Sequence, residues 1–122
     1  MEGLTLLEYV QQHGPLSESE ARVVMMQLLE AIKRCHDLGI LHRDIKLDNI
    51  MFRTSNNQLN DVALIDFGLS RFVNPGGFAN THVGTDEYMA PEIVDDEAYT
   101  GKADIWSLGV VLYGLYEING IL

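Results

Sequence analysis

The chain has 122 residues, enough for one domain, and a formal net charge of −10. That balance speaks against nucleic-acid phosphates and anionic membrane surfaces as partners and suits a solvated acidic surface, or attraction of basic peptides. Cys35 is the single cysteine, so no internal disulfide can form, which fits a reducing intracellular, cytoplasmic setting. No N-terminal run resembles a signal peptide. The longest apolar stretch, near Leu108–Tyr116, is well short of a membrane span.

The first expected element is a short helix over Thr5–Gln12, ended by the turn signal His13-Gly14-Pro15. Ser17-Glu18-Ser19-Glu20 forms a capping box. Ala21, Val24, Met25, Leu28, Ile32 and Cys35 then recur at helical spacing, and Gly39 supplies a left-handed stop. The pattern predicts a long amphipathic helix over Ser17–Leu38. Ile50–Arg53 and Val62–Ile65 read as short strands, separated by the turn formers of Asn56–Asp61. Arg71–Thr100 reads as mostly irregular, broken by Gly76, Gly77, Gly84 and Pro91; a loop that long implies function. Asp104–Tyr116 is apolar nearly all round, which predicts a fully buried helix, with Asp104 either its cap or an ordinary helix-start residue.

The chemistry concentrates between these elements. Residues 42–49 read His-Arg-Asp-Ile-Lys-Leu-Asp-Asn, and Asp66-Phe67-Gly68 begins 17 residues after Asn49. Two carboxylates, a lysine and a carboxamide are the inventory for holding magnesium, holding a terminal phosphate and orienting a hydroxyl. Ala90-Pro91-Glu92 and Asp104-Ile105-Trp106-Ser107-Leu108-Gly109 follow in order. Alone, each short motif would be an ordinary loop; together, in this order and spacing, they resemble the protein kinase family.

The resemblance covers essentially all 122 residues. It implies a mainly α fold with short β hairpins: an α+β core like that of a kinase C-terminal lobe, with the N-terminal lobe absent. Residues 1–122 would then be one partial kinase domain, from the helix after the interlobe hinge to the buried helix after the activation segment.

It also implies an ATP- and Mg²⁺-dependent transfer of phosphate to a Ser/Thr hydroxyl of a protein substrate. Asp44 would be the catalytic base, Lys46 a contact to the transferred phosphate, and Asn49 and Asp66 the metal ligands. Leu6 and Met51 would join Lys46, Asn49 and Asp66 around the nucleotide. His42 would pack under Phe67, with Ile50, Met51, Phe52, Val111 and Leu115 as core or spine positions.

Lys46 and the Gly84-Thr85…Glu92 stretch match the Ser/Thr branch, with a weaker likeness to the calcium/calmodulin-dependent group through Asp66–Arg71 and the surroundings of Trp106. Thr85 would hydrogen-bond Asp44 and Lys46. Arg43, Arg71 and Thr81 would form a phosphorylation switch, with an activating kinase as a further partner; an unmodified loop threonine is the plainer alternative.

Several family features have no counterpart among these residues. There is no Gly-rich loop, no strand lysine, and no arginine placed to pair with Glu92. Gly114 stands where a larger polar residue is common. The expectation is therefore a kinase fragment, inactive by itself. The competing reading is a non-catalytic kinase-lobe module that binds or regulates a partner.

Overall fold

The structure, a computed structural model, describes residues 3–73 and 77–117. Helix α1 spans Leu6–His13 and α2 spans Glu18–Asp37. Strand β1, Ile40–Leu41, pairs with β4, Arg71–Phe72; β2, Ile50–Phe52, pairs with β3, Val62–Leu64. Both pairs are antiparallel. A 3₁₀ turn at Leu47–Asn49 precedes β2, and another lies at Asp86–Tyr88. Helix α3 is Pro91–Val94 and α4 is Lys102–Tyr116.

Capping fixes both long N-terminal elements. Ser17 and Glu20 exchange the two bonds of the expected box. Thr5 and Glu8 form a second box at the head of α1. Helix α2 buries Ala21, Val24, Leu28 and Ile32, while Met25 and Cys35 are half-buried. Gly39, at φ +76°, turns the chain out of it.

Leu6, Val10, Leu28, Ile32, Leu47, Ile50, Phe52, Leu108, Val111 and Leu115 share one core. Burying each large aliphatic side chain stabilises by about 1.5–3 kcal/mol. This core packs both β3 and α4 against α2 and so sets the loop between β1 and β2. A second, smaller core gathers Leu41, Ala79, Met89, Ala90, Ile93, Tyr99 and Ala103 beneath the segment leading to α3.

The described residues of 71–100 are mostly irregular, as expected, with three pieces of two to four residues, too short to show a period: β4, the 3₁₀ turn at Asp86–Tyr88 and α3. Two expectations need correction. Helix α4 is not covered on every face, because Ile105, Trp106, Tyr113 and Tyr116 are exposed. Nor does Asp104 cap it. Gly101 holds the N-cap position with no side-chain cap, and α4 begins at Lys102. Asp104 lies within the first turn, buried, and points away from the helix end toward the loop after β1. Gly76, one of the expected breakers, lies outside the described residues.

Candidate active site

The loop between β1 and the 3₁₀ turn is pinned by Asp104. Its Oδ2 accepts from the His42 amide at 3.0 Å, and its Oδ1 from the Arg43 amide at 3.0 Å. Arg43 sits at φ +74°, a left-handed conformation that costs a non-glycine residue about 1–3 kcal/mol. The two amide bonds to a buried carboxylate offset that cost. His36, at the end of α2, supports the same carboxylate through Nε2 at 2.9 Å.

The His42 ring is fully buried. Its Nδ1 accepts from the Asp44 amide at 3.1 Å, which leaves Nε2–H to donate to the Ile65 carbonyl at 3.1 Å. Phe67 meets the same ring edge-on, with centroids 4.6 Å apart. One imidazole thus spans the loop carrying Asp44 and the loop carrying Asp66. A backbone bond from Ile65 N to Asn49 O, 2.9 Å, ties them a second time.

Around Asp44 the side chains touch directly. Oδ1 accepts from Thr85 Oγ1 at 2.9 Å, and Oδ2 accepts from Asn49 Nδ2 at 3.2 Å. Asn49 Nδ2 also donates to the Asp44 carbonyl, 2.9 Å. Lys46 Nζ donates to Thr85 Oγ1 at 3.0 Å and lies 3.8 Å from Asp44 Oδ2 and 3.9 Å from Asp48 Oδ2. Asp44 and Lys46 side chains are mostly shielded, so these charges act at close range in a reduced dielectric.

Gly84 brings Thr85 there. It has φ +118°, and a β-carbon on it would sit 2.7 Å from the Arg43 carbonyl oxygen. Only glycine permits that approach of the two backbones.

Asp66 is less integrated. It adopts φ +56°, is exposed, and its Oδ1 accepts from the Gly68 amide at 3.2 Å. Among the described residues no hydrogen bond or ion pair joins its carboxylate to Asp44, Lys46 or Asn49. Nor do three or more His, Cys, Asp or Glu side chains gather as a metal cluster.

Leu6 is fully buried in the core, while Met51 is half-buried and bridges through its backbone to Thr5. Arg43 Nε donates to the Leu69 carbonyl at 2.7 Å, and Nη1 reaches Tyr99 Oη at 3.3 Å. Arg71 and Thr81 are exposed. Cys35 is half-buried beside this network; burial, and then the charge of Asp104, push its thiol above the ordinary range.

No sequence pattern marks His36 or Tyr99, and Asp104 is not the helix cap that its position suggests. His36 and Asp104 are 68 positions apart, and no local pattern pairs them.

A family model for the protein kinase domain matches residues 1–121. The chain belongs to the protein kinase domain family. Sperm motility kinase 2B of Mus musculus is 45% identical over 92% of this chain and 22% of its own length. CBL-interacting protein kinase 31 of Oryza sativa subsp. japonica is 43% identical over 93% of the chain and 25% of its own length. Sucrose non-fermenting protein kinase 1 of Fusarium virguliforme is 40% identical over 93% and 16%. The chain therefore spans a quarter or less of each of these relatives. Among the described residues, the helices and the two small antiparallel sheets are consistent with that family.

Proposed function

We propose that this segment is the core of a kinase C-terminal lobe, spanning residues 1–122, and that it carries the phosphoryl-acceptor half of a Ser/Thr kinase active site. The observation behind the reading is the direct cluster of Asp44, Thr85, Lys46 and Asn49. Phosphoryl transfer asks for an aligned nucleophile and compensated charge more than for covalent chemistry. Asp44, fixed from both sides by Thr85 and Asn49, orients the acceptor hydroxyl and takes up its proton. Lys46 places a positive charge beside the same carboxylate, where it meets the transferred phosphate. Thr85 bridges base and lysine, which would help admit the small hydroxyl of a Ser/Thr acceptor on a protein substrate.

The oxygen donors available suit Mg²⁺, which favours few protein ligands and retains waters and phosphates. Asn49 spends its amide nitrogen on Asp44, which leaves its carbonyl oxygen for a hard cation. Asp66, tethered nearby through Ile65, would provide the second ligand. Mg²⁺-bound ATP would supply the phosphoryl group and neutralise its charge. Met51 would face the base of the nucleotide, with Leu6 beneath it in the core.

Regulation in this reading runs through Thr81. Phosphorylation by an activating kinase would place new acceptors near Arg43 and Arg71 and order the loop. Arg43 already lies one hydroxyl away from the Thr81 backbone. The single cysteine supports an intracellular, cytoplasmic setting. Among the described residues no helix is long and apolar enough to cross a membrane.

The alternative is a non-catalytic kinase-lobe module that binds or regulates a partner, and one experiment separates the two. The test joins the segment to a nucleotide-binding N-terminal lobe and the remaining C-terminal helices of a relative and measures phosphate transfer to a Ser/Thr peptide. Transfer that Asp44→Asn lowers about 10²–10⁴-fold supports catalysis. No transfer in the joined form, with nucleotide bound, supports the module.

A further inference from the structure

Tyr99 is a core tyrosine, 3% exposed, whose hydroxyl is used in both directions. Oη donates to the Thr81 carbonyl at 2.6 Å and accepts from Arg43 Nη1 at 3.3 Å. Arg43 immediately precedes Asp44, and Asp104 clamps its backbone. A continuous polar path therefore runs from the Asp44 loop, through one guanidinium and one phenol, to the backbone of Thr81.

The same stretch is anchored twice more. Ala79 and Tyr99 exchange both backbone bonds of a bridge, each 2.8 Å. His82 Nδ1 lies 2.6 Å from Asp96 Oδ1. The bridge and the exposed His82–Asp96 pair stop at the segment's own border; the Tyr99 hydroxyl reaches on to Arg43, a second tie to the Asp44 loop beside the Thr85–Asp44 bond.

We propose that Tyr99 is a positioning residue whose hydroxyl couples the Thr81 segment to Arg43, and so to the Asp44 loop, without a phosphate. The proposal rests on the kinase reading above. Its chemistry follows from burial. A tyrosine hydroxyl inside a core needs partners, and here it takes one donor and one acceptor from two different loops. Losing the hydroxyl leaves the Thr81 carbonyl and one Arg43 nitrogen to water, and the residues around Thr81 keep their local anchors and the more distant Thr85–Asp44 bond. The ring itself packs with Ala79, Ile93 and Ala103 in the smaller core, so phenylalanine preserves the packing and removes the link alone.

The test uses Tyr99→Phe, Arg43→Ala and the double variant in the joined kinase described above, with two readouts. The first is amide hydrogen exchange over residues 80–85, which needs no activity. Tyr99→Phe is expected to speed exchange there about three- to tenfold, the worth of one hydrogen bond. Exchange in α2 should not change. Arg43→Ala should do the same, and the double variant should add little, because both break one path. The second readout is kcat against KM: Tyr99→Phe lowers kcat several-fold while the KM for ATP stays within about twofold.

Unchanged exchange in Tyr99→Phe, or effects of the two substitutions that simply add, would overturn the proposal. Faster exchange in α2 as well would show a general packing loss and would also overturn it. His82→Ala serves as a further control, since it removes a local anchor and its effect should add to that of Tyr99→Phe. If the parent enzyme is inactive, the kinase reading fails while the exchange result still decides the coupling.

Discussion

Asp104 shows how one side chain can set a loop. Three groups converge on its carboxylate: the amides of His42 and Arg43 and the His36 ring. Asp104→Ala would leave two amides without their acceptor and Arg43 in an uncompensated left-handed conformation. Each lost acceptor costs about 1–3 kcal/mol if the amide stays dry. In a complete domain the urea midpoint should fall, and phosphate transfer should fall further than stability alone explains. A midpoint and rate equal to the parent would show that the loop holds itself. Thr85→Ala is expected to act differently. Removing the hydroxyl that joins Asp44 and Lys46 should lower kcat about tenfold with little change in the KM for ATP, since the lost bond aligns rather than binds.

The residue identities at this site were legible because a short motif keeps them in fixed order. Thr85 was expected beside Asp44 and Lys46, and the structure puts it there. The Asp104 contact was not legible. An acidic residue near a helix start is a common cap, and only the tertiary arrangement shows it 62 positions from the amide it holds.

At the scale of elements, Gly84 and the α2 cap give the sharpest expectations. Gly84→Ala places a β-carbon 2.7 Å from the Arg43 carbonyl at a φ of +118°. The segment must then lift, taking Thr85 off Asp44. Activity should fall at least as far as in Thr85→Ala, while the α2 helical signal is kept.

At the start of α2, the Ser17 amide and then the Ser17 hydroxyl region favour the Glu20 carboxylate and lower its pKa from 4.5; slight desolvation opposes them. A depressed folded pKa means the cap's contribution is present above the unfolded value and is lost as pH falls through the folded one. The protection factors of the capped amides of Ser17 and Glu20, which correct for the intrinsic pH dependence of exchange, should therefore fall on acidification below about pH 4.5, and Glu20→Gln should remove that dependence. Protection that is flat with pH in the parent would contradict the cap's role.

Long periodic elements read well from sequence. The α2 boundaries are Glu18–Asp37 against an expected Ser17–Leu38, because caps and a 3.6-residue period mark them locally. Strands β1 and β4 were not seen. They are two residues each and pair across about 30 positions, so no local signal exists.

For the whole molecule, α4 decides how far the chain can stand alone. Ile105, Trp106, Tyr113 and Tyr116 are each 41–52% exposed on a helix with a strongly apolar composition. Trp106, Gly109, Val110 and Tyr113 line a shallow apolar concavity of about 340 Å³. Every large side chain left in water forgoes part of its ~1.5–3 kcal/mol of burial, against a typical domain stability of ~5–15 kcal/mol.

The purified 122-residue polypeptide should therefore bind ANS, sediment as more than a monomer, and unfold over a broad urea range. Negligible ANS binding with a sharp, monomeric transition would show that it is self-sufficient. The sequence showed α4 as apolar all round, but not which face would stay open, since that depends on where α2 lies. By the same reasoning the 122 residues alone should transfer phosphate only at background, lacking a Gly-rich loop and strand lysine.

The most direct test is a phosphate-transfer assay with labelled ATP on the segment joined to an N-terminal lobe and the C-terminal helices. The account predicts label on Ser or Thr of the peptide, lowered about 10²–10⁴-fold by Asp44→Asn. Transfer at full rate with Asn at position 44 would contradict it.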